Sequence, residues 1–330
     1  MKDIKAIDVV KFLDNYIVNQ EQAKKFLAIA MRNRWRRLQI DDDIRNEIRP
    51  DNVLLIGSSG VGKSELVKRL VQFFNVPFVK IDAFLYTTST FGENIKFILE
   101  QLVKSAMEKK TIYKGTDIKE YSKELIDETI NDVQENGVVF IDDIDKLIMN
   151  VFVDNELKNI KEGIQRELLP LLEGATVYTS FGPISTDFIL FIGAGAFNNS
   201  SPLDLIPSLQ SRFSIVVELN DLYAKDFEKI LLSCKYSLIN QYIELFRTEG
   251  VKLSFSKNAI KKIAYYAEKA NELLEYTGVK RLHSIFNILL EDFLFELPDC
   301  KMQKIKITER YVRTKLDSLF QNEDITKYIL

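Results

Sequence analysis

Two stretches carry residue types whose spacing could do chemistry. The first, Gly57 to Ser64, reads GSSGVGKS. Its glycines at 57, 60 and 62 free the backbone to turn its amides inward around phosphate oxygens. Lys63 supplies an ammonium for the β- and γ-phosphates, and Ser64 a hydroxyl for Mg²⁺. Glu65 is an acid at the start of the helix that follows, where its charge suits the dipole. The second stretch, residues 137 to 146, reads GVVFIDDIDK. An apolar run ends abruptly in Asp142, Asp143 and Asp145, which a buried strand does not need for stability. Beside a phosphate loop, Asp142 suits a Mg²⁺ site and Asp143 a general base that polarises the attacking water. Asp145 reads as a helix cap or a surface residue.

Such groups need strands to aim them. NVLLIG (52–57), PFVKID (77–82), the run at 138–142, DFILFIGAG (187–195) and IVVEL (215–219) are short apolar runs of the buried, parallel kind. Helical periodicity at 5–15, 20–39, 63–74, 93–108 and 155–173 separates them. The alternation predicts a parallel, doubly wound α/β sheet. TVYTSFGPIST carries a hairpin signal around Gly182-Pro183. Residues 109–136 are charged, with Ile118, Tyr121, Leu125, Ile126, Ile130 and Val133 on one face, which predicts a small helical excursion. Beyond Asn220 the pattern turns helical, at 224–246, 256–272, 278–297 and 309–320, with a β-like KIKIT at 304–308. The expected organisation is an α/β domain over 1–220, with a shortened insertion at 105–136, and a mainly helical domain over 221–330.

Composition narrows the class. The 330 residues are 46% apolar and 28% charged, with a net charge of −3. That balance argues against a general nucleic-acid binder. Cys234 and Cys300 stand alone, and His283 is the only histidine, so neither a disulfide framework nor a zinc site is expected. No apolar run approaches the roughly 18 residues of a membrane span, and the N-terminus lacks a signal-type core; a cytoplasmic protein is expected. In MRNRWRRLQI, Arg32, Arg34, Arg36 and Arg37 surround Trp35. They read either as a solvated helix end or as a contact with phosphate or a neighbouring subunit.

Longer stretches resemble one family. NYIVNQEQAKKFLAIAMRNRWRRLQ, NVLLIGSSGVGKSE, GVVFIDDIDK, EGIQRELLPLLEGATV, TDFILFIGAGAF, LIPSLQSRF, GVKRLH and the terminal NEDITKYIL are similar to HslU (ClpY), the hexameric AAA+ unfoldase of the HslUV protease. The likeness spans nearly the whole chain outside 105–136. It implies an AAA+ core with a small helical C-terminal domain, ATP and Mg²⁺ as ligands, a hexameric ring, and protein unfolding coupled to an HslV-like peptidase. It implies that Val18 touches the adenine and that Gly60, Val61, Gly62, Lys63, Ser64 and Glu65 wrap the phosphates. Arg212 falls on the arginine finger, which enters the neighbouring subunit's site. The C-terminal Tyr328, Ile329 and Leu330 fall on the tail that docks into the peptidase.

The departures from the family pattern are specific. Asp143 stands where the family has Glu. The family's sensor arginine falls on Lys280, with Arg281 adjacent. Ser208 replaces an acid that contacts nucleotide between subunits. The pore loop Gly-Tyr-Val-Gly becomes Ser89-Thr90-Phe91-Gly92, leaving Phe91 to grip a polypeptide. Together these raise a non-catalytic alternative, a nucleotide-binding scaffold or regulator. A ClpX-type unfoldase would show a four-cysteine zinc module, and a small P-loop kinase gives no reason for Arg212 or the tail.

Overall fold

The apolar runs become strands because β-branched and leucine-rich segments of four to six residues are buried best between helices. The computed structural model describes residues 3–83, 93–114, 122–148, 155–297 and 303–321. In chain order, α1 (Ala6–Asp14), α2 (Glu21–Arg37) and the short α3 (Asp42–Arg45) precede β1 (Val53–Ile56), α4 (Lys63–Phe74) and β2 (Phe78–Asp82). There follow α5 (Glu93–Lys114), α6 (Lys123–Asn136), β3 (Val138–Asp142), α7 (Asn155–Glu173), β4 (Thr176–Thr179), β5 (Gly182–Ser185), β6 (Leu190–Gly195), α8 (Pro207–Gln210) and β7 (Ile215–Glu218). The remainder is α9 (Ala224–Ser233), α10 (Leu238–Thr248), β8 (Lys252–Phe255), α11 (Lys257–Leu273), α12 (Lys280–Glu296), β9 (Lys304–Ile307) and α13 (Glu309–Gln321).

The described residues fall into two units. One lies within 1–10, 21–57 and 63–219, the other within 11–20, 58–62 and 220–330. In the first, the five apolar runs form one parallel sheet in the order β2-β3-β6-β1-β7. The strands β2 and β3 are neighbours, but β1 is not beside β2; it sits between β6 and β7. Its register sets Val53 opposite both Ile192 and Ile215. The strand β3 is inaccessible from Val138 to Ile141, and Leu99, Leu102, Val133 and Leu168 from the helices complete the core around it.

The second unit packs Phe227, Phe246, Tyr266, Phe286 and Leu289 into a core of its own. Its two strands, β8 and β9, pair in parallel. The expected β-like KIKIT is β9; its partner β8, written KLSF, alternates polar and apolar residues over only four positions and is not among the expected strands. The expected helix 224–246 is two helices. Ser237 caps the second through a bond from Asn240 N at 3.3 Å, a competition that serine wins over helix continuation.

The charged stretch 109–136 also differs from expectation. Helix α5 runs on to Lys114, and α6 sends Ile130 and Val133 into the sheet's core, so this segment is part of the α/β unit rather than an excursion from it. Ile118 and Tyr121 lie outside the described residues. The hairpin forms, but Gly182 and Pro183 belong to β5, and the turn itself is Ser180-Phe181.

Candidate functional site

The strand ends of the first unit bring three of the expected residues together. Gly57 follows β1 with φ 153°, a conformation open to glycine, and its N–H donates to Gly195 O at 3.2 Å. Lys63 opens α4, is buried, and donates its ammonium to Gly57 O. Ser64 Oγ donates to Asp142 Oδ2 at 2.9 Å, which joins the first turn of α4 to the tip of β3. Register puts Asp82 of β2 beside Asp142. Lys80 Nζ stands 2.6 Å from Asp142 Oδ2.

Asp143 leaves the strand in the left-handed conformation (φ 55°, ψ 38°). That turn is unusual for a residue with a Cβ. The carboxylate meets Lys146 Nζ at 2.5 Å, on a partly exposed pair. The hydrogen bond and charge of Asp143 hold the Lys146 pKa above the usual lysine range. Asp145 is neither a cap nor a surface residue. It lies in a 3-10 turn (Ile144–Leu147), is half-buried, and accepts from Phe197 N at 3.2 Å, tying that turn to the loop after β6. Spacing gave no hint of this, because its partner is a backbone N–H 52 residues away. Glu65, in the first turn of α4, pairs with Arg69 at 2.6 Å.

The loop tip, residues 58–62, makes its contacts within the second unit. Gly60 has φ 75°, and a Cβ there would stand 1.9 Å from Thr277 O. Glycine is therefore required at 60 both by conformation and by close approach. Gly60 O accepts from Val279 N at 3.0 Å, and Lys280 Nζ lies 3.3 Å from Ser59 Oγ. The neighbouring Arg281 is spent elsewhere: it is buried, donates to Glu275 O at 2.9 Å, and burial lowers its pKa. Of the two sensor candidates, Lys280 is the one on the loop. Val18 is half-buried in the turn before α2.

Sequence reasoning missed Gln20. It is 2% exposed. Its amide donates to Asn220 O at 2.8 Å and Val61 O at 3.5 Å, and it accepts from Asn220 N at 2.9 Å. One side chain thus fixes the loop residue Val61 and the turn at Asn220. A glutamine in a polar turn has no local signature that announces such a role.

Arg212 and Ser208 lie apart from these groups. Ser208 is exposed on α8. Arg212 Nη2 pairs with Glu173 Oε1 at 2.7 Å, with both side chains about two-fifths exposed (41% and 42%). Its backbone is fixed: Asn52 Nδ2 donates to Arg212 O at 3.1 Å, while Asn52 Oδ1 accepts from Phe191 N. The guanidinium is therefore presented at the surface from a rigid base. Phe91, Tyr328, Ile329, Leu330 and Cys300 lie outside the described residues. His283 is exposed on α12. Among the described residues no cluster of His, Cys, Asp and Glu could hold a metal by itself, and no helix is long and apolar enough to cross a membrane.

Comparison with known proteins decides the family. Residues 49–232 match the model of the AAA domain (Cdc48 subfamily). The ATP-dependent protease ATPase subunit HslU of Persephonella marina is 34% identical, covering 100% of this chain and 99% of its own length. The HslU of Enterococcus faecalis is 33% identical and that of Geobacillus kaustophilus 32%, each over 98% of both chains. The chain belongs to the HslU family. The Persephonella alignment runs over 445 positions against 330 residues here, so at least 115 positions have no counterpart in this member. It keeps the family's AAA+ sheet and helical C-terminal region in a shorter chain.

Proposed function

We infer that this HslU-family chain is the ATPase subunit of an HslUV-type protease, hydrolysing ATP to unfold proteins and feed them to an HslV-like peptidase. The observation that carries the reading is the meeting of Lys63, Ser64 and Asp142 at the carboxyl ends of parallel strands. That is where an open α/β sheet takes a ligand. The donor set suits a magnesium-bound triphosphate. Lys63 already donates to a carbonyl oxygen and would exchange it for phosphate oxygens. Ser64 and Asp142 offer the oxygen ligands that Mg²⁺ prefers; the ion, when bound, neutralises the phosphates' charge. The positive φ of Gly60 and Gly62 suits a loop whose amides would turn toward the anion. Val18 would touch the base and Lys280 the outermost phosphate. Ser208 would lie at the subunit boundary as a neutral replacement for an acid. In the proposed ring, a hexamer, Arg212 serves the neighbouring subunit's site. Phe91 would press on the translocating polypeptide. Localisation follows as cytoplasmic.

Asp143 would accept the proton of the attacking water, and its reach limits the rate. Aspartate is shorter than glutamate by one C–C bond, about 1.5 Å, and a 1 Å misplacement can cost on the order of 10² in rate. Lys146 must also release the carboxylate, since the two are in contact. Asp143→Glu is therefore expected to raise steady-state ATP turnover by about 10-fold or more at saturating ATP and Mg²⁺. An unchanged or lower rate would remove Asp143 from the role of base.

The partner is tested through the tail. Deleting Ile329 and Leu330 removes the apolar anchors while leaving the ATP site intact. ATP-dependent activation of an HslV-type peptidase should be lost while ATP turnover of the free chain stays within twofold. Peptidase activation by the truncated chain at the full-length level would sink the docking assignment.

A further inference from the structure

The arginines of α2 are not absorbed by the function above. Arg32 is accounted for: it stacks 3.7 Å above Trp35 and pairs with Asp3 at 2.5 Å. Arg34, Arg36 and Arg37 are not. With Arg49 they line a cavity of about 190 Å³ in the first unit, between the end of α2 and the segment leading into β1. Two carboxylates, Glu135 and Asp51, share the lining. Four guanidiniums face two carboxylates in the lining, and although Arg49 also pairs with Asp187 at 3.1 Å, the lining stays net positive.

The acids present are already engaged. Glu135 is taken by Arg37 at 2.5 Å and by Arg45 at 3.6 Å. Asp51 accepts from Ser214 Oγ at 3.3 Å. Arg34 and Arg37 are 5% and 4% exposed. Arg34 bonds through Nη2 to the carbonyls of Glu135 and Phe188 at 2.9 and 3.0 Å, while its Nε and Nη1 have no hydrogen-bond partner. Arg37 Nη2 likewise has none. Burial pushes the Arg34 pKa down to about 9, and neighbouring Arg37 adds to the effect against the pull of Glu135. A buried charged group with unpaired donors is a costly arrangement that folded proteins seldom keep without a partner. Phe188 stacks against Arg37, its ring centroid 3.3 Å from the guanidinium carbon, which fixes one arginine in place but supplies no negative charge.

We propose that this cavity is an anion site, taking a small dianionic oxyanion of the phosphate class between Arg34 and Arg37 within and Arg36 and Arg49 at its rim. The net positive lining and the unpaired donors of Arg34 and Arg37 select an anion. Planar guanidinium forks match tetrahedral oxyanions, which is why arginine rather than lysine would build such a site. The apolar part of the lining, Ile40 and Ile48 among it, would accept the carbon of an organic phosphate ester.

The test is calorimetric titration of the full chain, saturated with ADP and Mg²⁺, with inorganic phosphate at fixed ionic strength. One saturable site is expected. Arg36 is exposed and bonds only Asn33, at 2.9 Å within its own helix, so Arg36→Glu should fold normally. It should weaken phosphate binding at least 10-fold, with Arg36→Lys keeping most of it and ADP affinity unchanged in both. Phenyl phosphate is the second arm: tighter binding than phosphate assigns the site to organic esters, weaker binding to the free ion. Absence of saturable binding overturns the proposal. So does equal binding by Arg36→Glu, which would place the phosphate elsewhere, including beside ADP at the phosphate loop.

Discussion

Lys63→Ala is expected to abolish productive ATP use, with turnover down by about 10² to 10³-fold or more and ATP affinity sharply reduced. The side chain is 8% exposed, and its ammonium reaches back to Gly57 O at the mouth of its own loop. The substitution is gentle structurally: position 63 opens α4, and alanine is the best helix former. Loss of activity can thus be separated from loss of fold by checking that circular dichroism and Tm are retained. Turnover within tenfold of the parent, in a folded variant, would remove the loop from the chemistry and with it the proposed ATPase site.

That prediction rests on residues legible from sequence, and the reason is local. GSSGVGKS works through backbone torsions and residues adjacent in the chain, so its meaning is written in eight consecutive letters. The acids after β3 are legible for a related cause. A fully buried parallel strand reads as an uninterrupted apolar run, and its end is marked by the first charge. The sheet's strands were found on the same ground, their order only through the fold.

What was not legible depends on partners distant in the chain. The role of Asp145 is set by Phe197 N, and that of Gln20 by Val61 and Asn220. The strand β8 exists because β9 lies beside it, as strand formation generally follows its pairing partner more than its own letters. The charged segment before β3 looked peripheral because its apolar residues are few, yet Ile130 and Val133 suffice to seat α6 on the core. The choice between Lys280 and Arg281 is open in the sequence. Burial supports Lys280 for the proposed role: the Arg281 guanidinium is buried on Glu275 O, whereas the Lys280 ammonium is exposed beside Ser59.

Arg212→Ala separates a ring from a solitary enzyme. In its own subunit the guanidinium pairs with Glu173, not with Lys63, Ser64 or Asp142. If it stabilises charge at the neighbouring site, its removal should lower kcat by about 10³ to 10⁵-fold while ATP affinity changes only a few-fold. The anchoring of its backbone by Asn52 survives the substitution, because that bond uses the carbonyl. Mixing supplies the decisive measurement. A Lys63→Ala chain has no working loop but an intact Arg212; an Arg212→Ala chain has the reverse. In a randomly mixed ring about a quarter of the subunit boundaries bring an intact loop to an intact arginine. Turnover should therefore reappear when two inactive proteins are combined and reassembled. A variant within tenfold of the parent, or a mixture as inactive as its components, would show that Arg212 acts only as the partner of Glu173 on the surface of its own chain.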